Sequence, residues 1–423
     1  MPHKSRNPLK RLASSIIRMQ ERHKERHRPT GFGFVFADRV GYLDLAQWQG
    51  VTASASVLLR PEVLQVFEKE APDNVQQRYA MVFRGERSIA GIAAQVVSIR
   101  GDRFSRDREM ARADRTRPML RRALSPAARA AQAQIRERLL VAGNLLAWGF
   151  HGIAFAPGED PEAVWPGIAE ALYRLRRAER LTGQTNLVLL KDITPKETGL
   201  EALKRFGYRP LETEPNMVLE LNPSWRNYED YLSALDAKYR RNAKATAQKL
   251  AGAGCKLEQL TDLAPDSQRL HELYLAVQGN SSMRLVTLQP GFLPALAGAL
   301  GPDFRCTVAR RGGEILGFVT SIRDGGTSIA YYLGFDRAAA AEGAPLYLRL
   351  LHTTISDAIH WGCRRVSLGR TALEPKAAMG AKPEAMAVWL RHRVPAMNWL
   401  LQSMLRAVPH EEAPERNPFK VSA

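Results

Sequence analysis

Cysteine is scarce in this 423-residue chain: Cys255, Cys306 and Cys363 form no C-x-x-C pair and show no metal-ligand spacing. A disulfide scaffold is excluded, and a reducing compartment is the simplest inference. The nine histidines include no H-E-x-x-H, so no metal centre is expected. No window reaches the roughly 20 apolar residues of a membrane span. The basic stretch from Lys4 to Arg28 lacks the apolar run of a signal peptide, so a cytoplasmic location is expected. No Ser-His-Asp or Cys-His arrangement is spaced for nucleophilic catalysis.

What is present fits an ordinary globular composition, with 45% hydrophobic and 25% charged residues. The length exceeds what one core usually supports, so two domains are expected. Lysine and arginine number 61 against 43 acidic residues, a formal charge of +18. That excess favours anionic partners: nucleic acid, a phosphorylated cofactor or an anionic membrane face. Charge alone does not choose among them. Near the N-terminus, Leu9, Leu12, Ala13, Ile16 and Ile17 share one helical face, with Lys10, Arg11, Arg18 and Arg22 around it. Such a pattern suits peripheral contact with an anionic membrane, though a frayed tail or a segment packed on its own domain reads the same way.

An internal repeat organises the rest. Tyr79–Gly91 alternates apolar residues, turns at Gly85 and continues to Ile99; Arg305–Gly317 does the same and continues to Ile322. Each predicts two antiparallel strands around a glycine turn. The first copy continues with a strand near Gly152–Ala156, a helix from about Pro161 to Leu181 and a strand Asn186–Lys191. The second continues with a strand Ser328–Phe335, a helix from about Pro345 to Trp361 and a strand Arg364–Leu368. An arginine-rich segment, about 101–138, accounts for the longer first copy: a solvated loop, or a docking surface for a polyanion. The division is therefore a basic segment 1–30, a first domain 31–222 and a second domain 223–423. Each is expected to be an α+β unit with a mixed, largely antiparallel sheet and helices on both faces. Ser224 is a plausible N-cap for a long helix through Leu250.

The chemistry points to the second copy. Ahead of its helix lies Ala338-Ala-Ala-Ala-Glu-Gly343-Ala344-Pro345, small residues where a helix N-terminus can accept an anion. The first copy has Glu159 and Asp160 there, which would repel phosphate. Arg337, Gly343, Ala344 and Leu346 are thus candidates for holding the donor's phosphates, although a glycine-rich signature is absent from both copies. Lys238, Arg240, Arg241 and Lys244 crowd one helix and suit a phosphorylated substrate, or simply face solvent. After the fifth strand, Arg370 and Lys376 sit in a loop where open sheets place ligands. Either would stabilise an oxyanion or bind phosphate. Tyr331 and Tyr332 lie on the fourth strand, where one must face the cleft; its hydroxyl is a candidate acid, or the ring is core.

These residues resemble the Fem-type and FemAB-like members of the GNAT superfamily. The likeness is carried by Lys238–Leu250, Tyr331-Tyr-Leu-Gly-Phe-Asp336, the helix over Leu346–Gly362, and Ser367-Leu-Gly-Arg370 with Lys376 and Gly380. Lys191-Asp192, Phe206-Gly-Tyr208 and Asn417-Pro-Phe-Lys420 add to it, and it runs from about residue 35 to the end. The resemblance implies tandem GNAT folds and transfer of an acyl or aminoacyl group to an amine, such as that of a cell-envelope precursor. The co-substrate would be acyl-CoA or an aminoacyl-tRNA, and no metal would be used. It also implies a lysine at the position of Lys376 lining the reaction site. The chain lacks the coiled-coil arm of some Fem proteins and adds the arginine-rich segment. A non-catalytic module that binds an anionic cell-wall or lipid precursor is the alternative.

Overall fold

The computed structural model describes residues 17, 21, 28–100, 136–279, 285–394, 397–398, 414 and 416–420, apart from the side chains of residues 100 and 136. The arginine-rich segment and the N-terminal amphipathic pattern fall almost wholly outside these residues.

The first half contains β1 (Gly33–Ala37), α1 (Leu45–Thr52), α2 (Pro61–Lys69), β2 (Val75–Arg84), β3 (Arg87–Arg100), β4 (Arg136–Ala142), β5 (Ile153–Phe155), α3 (Pro161–Ala178), β6 (Thr185–Ile193), α4 (Glu201–Arg205) and β7 (Arg209–Glu220). The second contains α5 (Tyr228–Ala234), α6 (Ala237–Gly252), β8 (Lys256–Leu260), α7 (Ser267–Gln278), α8 (Phe292–Leu300), β9 (Phe304–Arg311), β10 (Glu314–Asp324), β11 (Thr327–Phe335), α9 (Arg337–Ala341), α10 (Leu346–His360), β12 (Arg365–Ser367), α11 (Leu373–Ala378) and β13 (Lys382–His392).

The repeat is visible in the strand order, β1-β2-β3-β4-β6-β13-β7-β12-β11-β10-β9-β8, which reads the same way from either end. In each half a meander ends in a parallel pair: β4 with β6, and β11 with β12. The two expected sheets are joined into one because the halves exchange their last strands. β13 pairs with β6 of the first half, β7 pairs with β12 of the second, and β7 and β13 pair with each other.

Alternation along the strands buries both faces. Val308 and Phe318 pack with Leu270 and Leu273 of α7, while their neighbours Ala309 and Val319 pack with Leu346 and Leu350 of α10. The first half repeats this, with Tyr79 and Met81 against α1 and α2, and Ala80 and Val82 against α3. Apolar clusters cross between the halves: Phe67 of α2 meets Phe292 of α8 with ring centroids 5.7 Å apart, and Trp389 of β13 packs into the core of the first half.

Two boundaries differ from the sequence reading. β4, which the sequence reading lacked, begins in the last residues of the segment assigned to the insertion and runs beyond it. The helix expected from Ser224 is two helices, the first capped by Asn227, whose side chain accepts from Glu229 N and Asp230 N while Asp230 reaches back. Asn222 draws the Ser224 hydroxyl away instead.

Candidate active site

The parallel pair β11–β12 is joined only from Thr327–Ile329 to Arg365–Ser367, after which β11 runs on to Phe335 paired with β10 alone. The strands therefore part in the second copy where a crevice is expected. A β-bulge marks the parting: Val319 pairs with Leu333 and Ser321 with Ala330, so Tyr331 and Tyr332 together oppose Thr320. A bulge turns consecutive side chains towards the same side, and here the two rings lie 4.6 Å apart and nearly perpendicular.

Both hydroxyls donate to one carbonyl, that of Leu146 in the first half, at 2.7 and 3.1 Å. Burial holds both phenols well above their ordinary pKa. Neither is placed to protonate a leaving group. The expectation that one tyrosine faces an open cleft is corrected by the bulge, which sends both into the packing between the halves.

The donor of that carbonyl is a loop between β4 and β5. Its neck is closed by Gly143 (φ +129) and Gly152: Gly143 N donates to Ala93 O, and Ala93 N donates to Gly152 O. A Cβ on Gly152 would lie 2.2 Å from Gly143 N, so the neck admits no side chain there. The loop carries Trp148 into the second half, where Nε1 donates to Ser367 Oγ at 3.1 Å and the ring covers Gly369. Gly149 N and Arg370 Nη1 both donate to Asp192, a fully buried residue at φ +55 that also pairs with Lys191. Burial lowers the pKa of Lys191 and of the neighbouring His151. Sequence reasoning missed this junction; the Lys191-Asp192 pair was its one visible sign. Arg370, expected to meet phosphate, is neutralised by Asp192.

Lys376 lies on α11, which follows Ala372 at φ +52, directly beyond β12. It is only 4% exposed, and among the described residues its Nζ has no hydrogen bond or ion pair. Burial alone pulls its pKa from the ordinary 10.5 down to about 7. An unpaired buried ammonium is costly, and proteins usually avoid one. Lys376 is therefore a buried amine on the short helix beyond a parallel strand, its ammonium form disfavoured by burial.

The entrance to α10 suits a phosphate. Gly343 takes φ +100, Pro345 opens the helix without a side-chain cap, and the Lys249 ammonium lies within 3.7 Å of where a Gly343 Cβ would be. Uncapped N–H groups, the helix dipole and a free lysine together favour an anion. Ala344 and Leu346, expected to hold phosphate, are buried, and their backbone N–H groups already donate to Ala339 O and Ala344 O. Arg337 opens α9, which Asp336 caps. In the first copy the same position is already occupied. Glu159 is bound by Arg84 and Arg87, and Asp160 caps α3 itself.

The helix charges divide. Arg240 donates to Leu235 O at 2.9 Å and serves the backbone, Lys238 lies over Tyr239, and Lys244 stands 4.0 Å from Glu229. Arg241 is exposed. Another pair was missed: Tyr228 Oη lies 2.8 Å from His352 Nδ1, and burial lowers His352 to about 4. No group of residues among those described could hold a metal ion.

The acetyltransferase (GNAT) domain family matches residues 237–382. FemX superposes with a TM-score of 0.51 at 10% identity, over 85% of this chain and 99% of its own. A tandem GNAT protein from the clavulanic acid biosynthesis pathway shares 13% identity, with coverage of 85% and 98% and a TM-score of 0.46. L-PGS from Bacillus licheniformis shares 11%, with coverage of 81% and 95% and a TM-score of 0.45. No curated protein matches the chain. Residues 237–382 match the acetyltransferase (GNAT) domain family, and the chain as a whole shares the fold of FemX.

Proposed function

We propose that this chain is an N-acyltransferase that moves an acyl or aminoacyl group from a phosphate-bearing donor to an amine, with its site in the second half. The observation that carries the reading is Lys376, buried, unpaired and near-neutral beyond β12. In this reading the α10 entrance, with Gly343 and Lys249, seats the donor's phosphate. The acceptor's ammonium gives a proton to neutral Lys376 and the freed amine attacks the donor carbonyl. The C–N bond forms, the C–S or C–O bond breaks, the nitrogen of the new amide sheds its surplus proton to solvent, and the Lys376 ammonium gives its proton to the leaving group. A base whose pKa lies near the working pH suits both transfers. Arg241 and Lys244, exposed on α6, are assigned to the phosphorylated acceptor, for which the sequence resemblance to Fem-type proteins suggests a cell-envelope precursor.

The test pairs binding with turnover. The donor, either acyl-CoA or an aminoacyl-tRNA, should raise the melting temperature, since it binds the native state. Lys376→Met should remove transfer while leaving that stabilisation intact. Full activity in the variant, or stabilisation by neither donor, would refute the reading.

A further inference from the structure

The edge of the first half opposite in sequence to the proposed site carries a cationic cluster that the acyl-transfer reading does not use. Three guanidiniums surround the Tyr173 ring of α3: Arg176 at 5.4 Å, Arg177 at 5.7 Å and Arg391 of β13 at 5.8 Å from its centroid. Arg393 stands just past the end of β13, its backbone N–H donating to Asn186 O at 2.7 Å. Arg180 lies in the 3-10 turn Glu179–Leu181 that follows α3.

These five arginines have no carboxylate partner among the described residues. Nearby carboxylates are committed elsewhere: Glu170 of α3 to Arg174, Glu179 to Arg78 and Arg138, and Glu384 of β13 to Lys196 and Arg365. Arg176, Arg391 and Arg393 therefore repel one another, and Arg176 is half-buried as well. A bound polyanion would relieve that repulsion.

Apolar side chains stand among them. Leu181, directly after Arg180, is 95% exposed, the highest value among the exposed large apolar residues; Val394 and Met397 are 38% and 37% exposed. They share one edge, because the Arg393 guanidinium reaches Gln184 and Asn186, close after Leu181, and Asn398 ties the chain beyond Val394 to Gly207 and His392. Arginines alone would suit any polyanion. Exposed leucine, valine and methionine beside arginines and an interfacial tyrosine match the boundary between lipid headgroups and acyl chains.

We propose that the edge formed by Arg176, Arg177, Arg180, Leu181, Arg391 and Arg393 docks this protein on an anionic membrane surface. Docking is independent of which acyl donor the enzyme uses. Each cation near an anionic surface contributes about 1 kcal/mol.

The full chain should sediment with vesicles of phosphatidylglycerol and phosphatidylcholine, not with phosphatidylcholine alone, and 0.5 M salt should weaken the binding. R177Q/R180Q, both exposed, should partition about 25-fold more weakly, with an unchanged melting temperature and unchanged transfer to a soluble amine. Leu181→Asp alone should weaken partition about tenfold. Unchanged partition of both variants would overturn the proposal, as would a wild-type chain indifferent to phosphatidylglycerol. Loss of transfer RNA binding in R177Q/R180Q, with vesicle binding retained, would assign the cluster to nucleic acid instead. Loss of acyl transfer in Lys376→Met with vesicle binding intact would leave this proposal standing and separates the two readings.

Discussion

Replacing Lys376 by methionine should make the protein more stable and inactive. Burial lowers the ammonium from 10.5 to about 7. At about 1.4 kcal/mol per tenfold change in proton affinity, the folded state gives up about 5 kcal/mol when the lysine must be charged in the unfolded chain. The side chain is 4% exposed and has no partner, so neither solvent screening nor a lost hydrogen bond offsets the gain. Methionine keeps the unbranched stem and removes the charge. The sign follows from proton binding. Between about pH 7 and 10.5 the unfolded state holds the proton and the folded state does not, so stability rises with pH across that window. The penalty is fully present below pH 7 and gone above 10.5. Urea denaturation of both proteins at pH 6.5, 8 and 9.5 should therefore show K376M ahead by several kcal/mol at the lowest pH, with the gap closing steadily. A variant that is less stable at every pH, or a gap that does not move with pH, would refute the assignment of Lys376 as a destabilised functional amine.

Y331F/Y332F should keep turnover within about threefold while losing about 1–2 kcal/mol of stability, because both hydroxyls serve Leu146 O; a loss of a hundredfold or more in kcat would restore a catalytic tyrosine. Gly152→Ala drives a Cβ to 2.2 Å from the Gly143 nitrogen and should cost more than about 3 kcal/mol by denaturation, or prevent folding; a neutral effect would show that the neck opens. His352, lowered from 6.5 to about 4 by burial, should make stability rise with pH between 4 and 6.5, by about 3 kcal/mol in all. His352→Phe should flatten that dependence, and an unchanged slope would place it elsewhere.

The hairpins Val75–Arg100 and Phe304–Asp324 were legible because period-two alternation meets a glycine turn at each, and their likeness revealed the repeat. The helices over Pro161–Ala178 and Leu346–His360 followed from their spacing in the same way. Strand exchange was not legible. Alternation fixes which side chains face the core and leaves open which strand lies alongside, and the two exchanged strands, β7 and β13, were not among the strands read from the sequence. β4 was lost because Arg136-Glu-Arg-Leu-Leu-Val-Ala continues the arginine-rich composition before its short apolar run. The tyrosines misled because alternation assigns neighbours to opposite faces, and a bulge breaks that rule without a local signature in the sequence. Lys376 was legible by its place after a parallel strand, whereas its burial came from the packing of α11, which no pattern records. Arg370 looked free because its partner, Asp192, is 178 residues away.

The most direct test is to observe Lys376 itself by NMR of the chain labelled at the lysine side chains, titrated from pH 5 to 11. One lysine resonance, missing from K376M, should titrate near 7 and shift when the acyl donor is added. Titration of every lysine close to 10.5, with the K376M spectrum lacking only one such ordinary signal, would contradict a near-neutral amine at the centre of the second half.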